Sequence, residues 1–226
     1  SFFYGNDFTV CKCANQEEAA EHIRNIYLAQ VEQYGVDRVQ ILSPFRSTGA
    51  ASADQLNEVI RELVNPQTEE ADLKVGSLYF RVGDKIMQNK NSTKASNGDI
   101  GFIRSFRHDE RDGMRISIQF SPTRVVEYSM EEMGHVELAY ATTVHKAQGS
   151  EFDVVIFPLL RSHARMLTRS LVYTAITRAK AKVILVGQIG MLYMAVHKDD
   201  TGKRNTQLGR RITLYVNTFK VQKRSA

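Results

Sequence analysis

The pattern that governs what this chain can become is an interruption. Up to Val64 the residues alternate between short apolar runs and amphipathic segments. From Pro66 to about Leu138 this texture gives way to short segments of alternating polarity, and then the first texture returns. Strand and helix in alternation specify a parallel sheet covered by helices, whereas closely spaced alternating strands specify an antiparallel unit. The order therefore predicts one α/β domain made from two separated stretches, with a small antiparallel β-barrel inserted between them.

Within the first stretch, residues 8–12 read as a strand. Asn15 is placed to cap the next helix, with Glu17 and Glu18 in its first turn, where carboxylates oppose the positive helix end. Ala20, Ile23, Tyr27, Val31 and Tyr34 supply an apolar face at helical spacing, and Gly35 a stop. Residues 39–42 form a buried strand that delivers the chain to Ser43-Pro44-Phe45-Arg46. Ser52 then caps a second helix carrying Leu56, Val59, Ile60, Leu63 and Val64, closed by Asn65-Pro66. In the insertion, strands are expected at 84–88, 100–106, 114–120 and 125–128, parted by turn formers such as Ser96-Asn97-Gly98-Asp99. Strands at 138–142, 154–157 and 183–186 and a helix at 168–177 complete the second stretch.

Composition narrows the function classes. With 42% hydrophobic and 24% charged residues, and no apolar run near the roughly 20 residues of a spanning helix, the chain reads as soluble and without a membrane partner. Cys11 and Cys13 are expected to be free thiols, and with no visible signal peptide a cytoplasmic setting is the expectation. Residues 161–226 carry 14 Lys and Arg against Asp199 and Asp200, a net +12, while residues 1–160 sum to −7. A one-sided positive field suits the phosphates of a nucleotide or a nucleic-acid backbone. Among the 14 glycines there is no GxxxxGK[ST] phosphate loop, so the chain is expected not to hydrolyse ATP alone, and its start at Ser1-Phe2-Phe3 reads as a piece of something longer. No acidic cluster suggests metal ligands.

Ligands of open parallel sheets sit beyond strand ends, so the loops there carry most weight. TTVHKAQGSEFD at 142–153 packs Thr143, His145, Lys146 and Gln148 behind an apolar strand, with Gly149 allowing a turn before Glu151. Such groups hold a phosphodiester backbone without reading its sequence, although helix caps and turn bonds use the same residue types. YTAITRAK at 173–180 sets Arg178 inside an apolar pattern, where an arginine either packs its stem and pairs locally or reaches a ligand. In the insertion Lys85, Lys90, Lys94, Arg104 and Arg107 interleave with Phe80, Phe102 and Phe106, a mixture that fits barrel core and strand binding alike.

These segments, in this order, resemble the C-terminal motor domain of superfamily 1 DNA helicases, and most closely the RecD branch. TVHKAQGSEFD is similar to motif V of that family, LVYTAITRAKAKVILVG to motif VI, ILSPFRSTGAASADQLN to motif IV, VGDKIMQNKNSTKASNGDIGFI to its barrel insertion, and residues 204–208 to its closing helix. The resemblance implies a RecA-like P-loop NTPase-type domain without its own phosphate loop over 1–66 and 138–216, an SH3-like barrel over 67–137, and a tail over 217–226. It implies that ATP and Mg2+ are held mainly by a preceding RecA-like domain of the same protein. Arg46 and Arg178 would reach the γ-phosphate from across the cleft, where a guanidinium neutralises charge on the transferring group. Glu151, with Gly149 and Gln148, would contact the nucleotide. Thr143, His145, Lys146 and Ser43 would grip single-stranded DNA, and 89–97 of the insertion would lie near it. The implied parent is a 5′ to 3′ DNA helicase of recombination or repair, free-standing or combined with nuclease subunits as in exodeoxyribonuclease V. A non-enzymatic DNA-binding module and an RNA or viral helicase of the same superfamily are the alternatives.

Overall fold

The structure, a computed structural model, describes residues 2–3, 7–68, 72–111 and 113–198. The first stretch holds β1 (Phe2–Phe3), β2 (Phe8–Lys12), α1 (Gln16–Tyr34), β3 (Val39–Ser43) and α2 (Ala53–Val64). The insertion holds β4 (Leu73–Val75), β5 (Leu78–Phe80), β6 (Lys85–Gln88), β7 (Ile100–Asp109), β8 (Gly113–Ser121), β9 (Arg124–Ser129) and β10 (Val136–Leu138). The chain then returns through β11 (Ala141–Thr143), β12 (Phe152–Leu159), α3 (Arg169–Ile176), β13 (Ala179–Gly187) and α4 (Ile189–His197). Residues 204–208, likened above to a closing helix, and the 217–226 tail lie outside the described residues.

Six strands form the main sheet in the order β1-β2-β13-β12-β3-β11, and every pairing but β1 with β2 is parallel. Both faces are covered, which is why its strands read as continuous apolar runs. Along β12, Val154 and Ile156 pack with Ile23 and Tyr27 of α1 and Leu56 and Ile60 of α2, whereas Val155 and Phe157 pack with Leu171, Val172 and Ala175 of α3 and Ala195 of α4. Burying an isoleucine such as Ile23 contributes roughly 2 kcal/mol.

Local signals mostly hold. Asn15 accepts from the Glu18 N–H at 2.8 Å, and Gly35 closes α1 at φ 90, a conformation side-chain-bearing residues avoid. The innermost contact of that helix begins at Ala19, however, with Ala20 only half-buried. Ser52 stands at the N-cap of α2 without making the side-chain bond expected of it, and Val59 and Leu63 face outward at 43% and 37% exposure. The strand expected at 138–142 is two strands: β10 pairs antiparallel with β6, β11 parallel with β3.

In the insertion a five-stranded antiparallel sheet, β10-β6-β7-β8-β9, and the β4–β5 hairpin enclose one core of Phe80, Ile86, Ile103, Ile116, Ile118, Tyr128, Met133 and Val136. Its two connections to the main sheet are both pinned. On entry, Asn65 donates to Asp84 at 2.9 Å, Arg61 donates to the Tyr79 carbonyl at 2.8 Å, and Arg61 stands 3.2 Å from the Asp84 carboxylate. Burial pushes the Asp84 pKa upward against these partners. On exit, the Ala139 N–H donates to Lys85 at 2.9 Å, the Tyr140 hydroxyl donates to Asp84 at 3.2 Å, and Gln40 donates to the Ala139 and Tyr140 carbonyls.

Candidate functional site

The sequence candidates fall at two ends of the main sheet. Thr143 is level with Ser43 at the carboxyl ends of β11 and β3, and Val154 is level with Val39 at the other end of β3. Phe152, where the motif loop ends, therefore lies six residues back from Thr143 toward the amino ends of the strands, about 20 Å away at roughly 3.3 Å per residue. Residues 143–151 span that length. Val144 and Ala147 are buried in the core beneath α3 and hold the segment against the sheet.

At the carboxyl end, Arg46, Asp54, Asn57, Glu137, Thr143 and Lys146 line a cavity of about 160 Å³. The Arg46 guanidinium is 63% exposed and sits 3.5 Å from Glu137 and 3.8 Å from Asp54, and Lys146 pairs with the same Glu137 carboxylate. His145 is exposed beside them. Ser43 belongs to this end but is fully buried: its hydroxyl donates to the Ala51 carbonyl at 2.8 Å and accepts from the Phe45 N–H at 3.2 Å. It shapes the 43–46 loop and presents no free group to a strand. Asn57 fixes the neighbouring backbone, with its amide donating to the carbonyls of Ala141 and Leu138 and accepting from the Ala141 N–H.

At the amino end, Arg178 immediately precedes β13 and Glu151 immediately precedes β12, and the two strands meet there through Phe152 and Ala179. The Phe152 N–H donates to the Arg178 carbonyl at 2.8 Å. The half-buried Arg178 side chain donates to the Ser150 carbonyl at 3.3 Å and to the Thr177 hydroxyl at 3.5 Å, while its Nε is buried without a hydrogen-bond partner. Among the described residues no carboxylate lies within ion-pair distance of it. Glu151 is 60% exposed and pairs with Lys180 at 3.1 Å. Gly149 takes φ 90 with open space where a side chain would stand, and Gln148 is exposed beside it.

Arg46 and Arg178, expected to converge on one γ-phosphate, are thus not brought together. Each belongs to a different end of the sheet, because the 43–46 loop follows a strand and Arg178 leads into one. Parallel connections always return the chain to the opposite edge, a distinction that motif order alone does not reveal.

The basic residues of the insertion are largely occupied. Lys85 is wholly buried and donates to the carbonyls of Val36 and Val39 at 2.9 Å, which removes it from any strand-binding surface. Lys94 pairs with Glu132, Arg107 with Glu127, and Arg104 donates to Gln119. Phe80 is core, whereas Phe102 and Phe106 are half-buried. The 96–99 turn approaches the motif loop, with Gly98 against the Lys146 carbonyl. Glu137, Asp54 and Asn57 were missed as site residues. No local signal marks Glu137 or Asn57, whose partners include residues 91 and 84 positions away in the chain.

A mostly parallel sheet with its polar loops at both ends and a pinned antiparallel barrel is the architecture expected of the C-terminal domain of a superfamily 1 helicase. Residues 138–186 match the family model of the UvrD-like helicase C-terminal domain, and residues 56–120 match that of the ATP-dependent RecD-like DNA helicase SH3 domain. The chain belongs to the RecD branch, as part of the C-terminal portion. It is 35% identical over 191 residues to the ATP-dependent RecD2 DNA helicase of Deinococcus radiodurans, covering 84% of this chain and 25% of that protein. It is 33% identical over 150 residues to the RecBCD enzyme subunit RecD of Mycolicibacterium smegmatis, covering 66% and 25%. The Pif1 helicase structure from Candida albicans aligns at a TM-score of 0.46 with 14% identity, over 89% of this chain and 58% of that one. The chain spans about a quarter of the length of these two curated relatives. No helix among the described residues is long and apolar enough to cross a membrane.

Proposed function

We propose that this chain is the second motor half of an ATP-dependent DNA helicase, completing in trans an ATP site whose phosphate loop and magnesium ligands belong to a preceding RecA-like domain. The observation that carries this reading is Arg178. A half-buried guanidinium that, among the described residues, has no carboxylate partner and makes long bonds to Ser150 and Thr177 is costly unless an anion arrives to meet it. It stands at the same sheet edge as the exposed Glu151 carboxylate, whose acceptors suit ribose hydroxyls, and as Gly149, where backbone can approach a ligand closely. A planar cation there neutralises charge developing on the transferring phosphoryl group.

The opposite edge is assigned to single-stranded DNA: Thr143, Lys146 and, on its placement, Arg46 line the cavity there, His145 is exposed beside them, and all four suit phosphates. Travel from 5′ to 3′, a role in recombination or repair, work in the cytoplasm and assembly with nuclease subunits extend the proposal by analogy with RecD relatives. In the full-length protein, Arg178→Ala leaves ATP affinity nearly unchanged while DNA-stimulated turnover falls on the order of a thousandfold. Turnover close to wild type in steady-state ATPase assays would make Arg178 a packing residue and remove the main support for a composite site.

A further inference from the structure

The strand-binding edge contains a group that its proposed role does not call for. Glu137 lies on β10, a strand of the inserted barrel, while both cations it holds, Arg46 and Lys146, lie on loops of the main sheet. Its backbone is fixed on both sides, by pairing with Met87 of β6 and by Asn57 donating to the Leu138 carbonyl at 3.2 Å. Its side chain is only 17% exposed, so this is a sheltered carboxylate and not a solvated surface acid. A carboxylate that offers one oxygen to a guanidinium and the other to an ammonium stands in for a phosphate group in both charge and acceptor geometry.

We infer that Glu137 is an internal competitor for the strand phosphate, and that it sets how tightly this edge binds single-stranded nucleic acid. The inference rests on the reading of Arg46 and Lys146 as phosphate ligands. A phosphodiester group that enters the cavity takes over the two cations, and the Glu137 side chain swings away while its backbone stays in place. Binding therefore releases one tie between barrel and motor sheet, so that occupancy of the strand site is felt in the barrel. Competition also lowers the number of counterions displaced, because the cations arrive already neutralised.

The test is fluorescence-anisotropy titration of a single-stranded oligonucleotide with full-length protein across a salt series. Glu137→Gln keeps size and hydrogen bonding but removes the charge. It is expected to bind about tenfold tighter at low salt, with a log–log salt slope steeper by about 0.7, since one carboxylate cancels one unit of the cations' charge and each unit adds about 0.7 for single strands. That gain is expected to vanish in a Lys146→Ala, Arg46→Ala background. Equal or weaker binding by Glu137→Gln, while Lys146→Ala weakens binding, overturns the competitor and leaves the strand grip standing. A gain that persists in the Lys146→Ala, Arg46→Ala background overturns it too, showing only a general charge effect. If Lys146→Ala and Arg46→Ala both bind like wild type, the strand grip itself fails. Matching melting temperatures for wild type and Glu137→Gln establish that these differences do not arise from misfolding.

Discussion

Replacing Lys85 by methionine tests how the barrel is tied to the motor sheet. Lys85 is wholly buried where β6 meets the α1–β3 connection, its ammonium donating to the Val36 and Val39 carbonyls at 2.9 Å and lying 5.8 Å from the Phe152 ring. Removal from water disfavours the charged form and pulls its pKa from 10.5 down to about 7, with Asp37 opposing the shift. Between those two values the unfolded chain holds a proton that the folded chain lacks. Raising the pH through this window therefore stabilises the fold, by up to about 1.4 kcal/mol per pH unit. Below pH 7 both states are protonated and the folded state bears the full cost of burying charge; near pH 10.5 that cost is gone. From pH 7 to pH 9 the gain is about 2 kcal/mol. Methionine fills a similar volume and carries no proton, so Lys85→Met loses this pH dependence. The Cys13 thiol, which burial pushes up to about 11, contributes to both proteins alike and cancels in the comparison. Urea denaturation followed by circular dichroism at half-unit steps from pH 6.5 to 9 gives the two stability curves. The wild type is expected to gain about 2 kcal/mol on the variant between pH 7 and 9. Parallel curves would refute the reasoning and show that the two carbonyls keep the ammonium charged inside the fold.

Asn57→Ala removes the amide that satisfies the Ala141 N–H and the Ala141 and Leu138 carbonyls where the barrel hands the chain back to the sheet. A loss of about 2–3 kcal/mol is expected in chemical denaturation, since buried backbone groups are left unpaired, and a loss below about 0.5 kcal/mol would mean that water replaces the side chain. Gly149→Ala meets no atom within 4 Å yet must hold φ 90, which costs about 1 kcal/mol for a residue with a Cβ. It is expected to reduce ATP turnover in the full-length protein more than strand affinity, because Gly149 stands nearer the Glu151 end of the segment. The opposite ranking, read by paired ATPase and anisotropy measurements, would place Gly149 with the strand grip.

Layer structure was readable wherever burial on two faces leaves an uninterrupted apolar run, as in Val154, Val155, Ile156 and Phe157, and wherever a cap fixes a boundary, as at Asn15 and Gly35. Legibility failed where position depends on distant partners. Nothing in VELAYATT separates β10 from β11; the break at Ala139-Tyr140 arises because β6 and β3 each claim three residues. Lys85 sits in a polar-looking stretch, and only the approach of the Val36 and Val39 carbonyls makes its burial tolerable. Of the site, the strand-end loops and Arg178 were apparent from their motifs. The division of those residues between two ends of the sheet was not, because a string of letters carries no direction across a parallel crossover. Glu137 went unnoticed for a related reason: its meaning comes from two cations that reach it from either side of a 91-residue separation and a nine-residue one.

An inserted domain hung on two flexible connections sweeps a volume, whereas this one is gripped at both. Asp84 receives Asn65 from the way in and Tyr140 from the way out, so a single buried carboxylate locks the two crossings against each other. The barrel is in effect a caliper jaw, set at a constant offset from the sheet edge that carries Thr143. A rigid displacement of the main sheet would carry the barrel through the same distance.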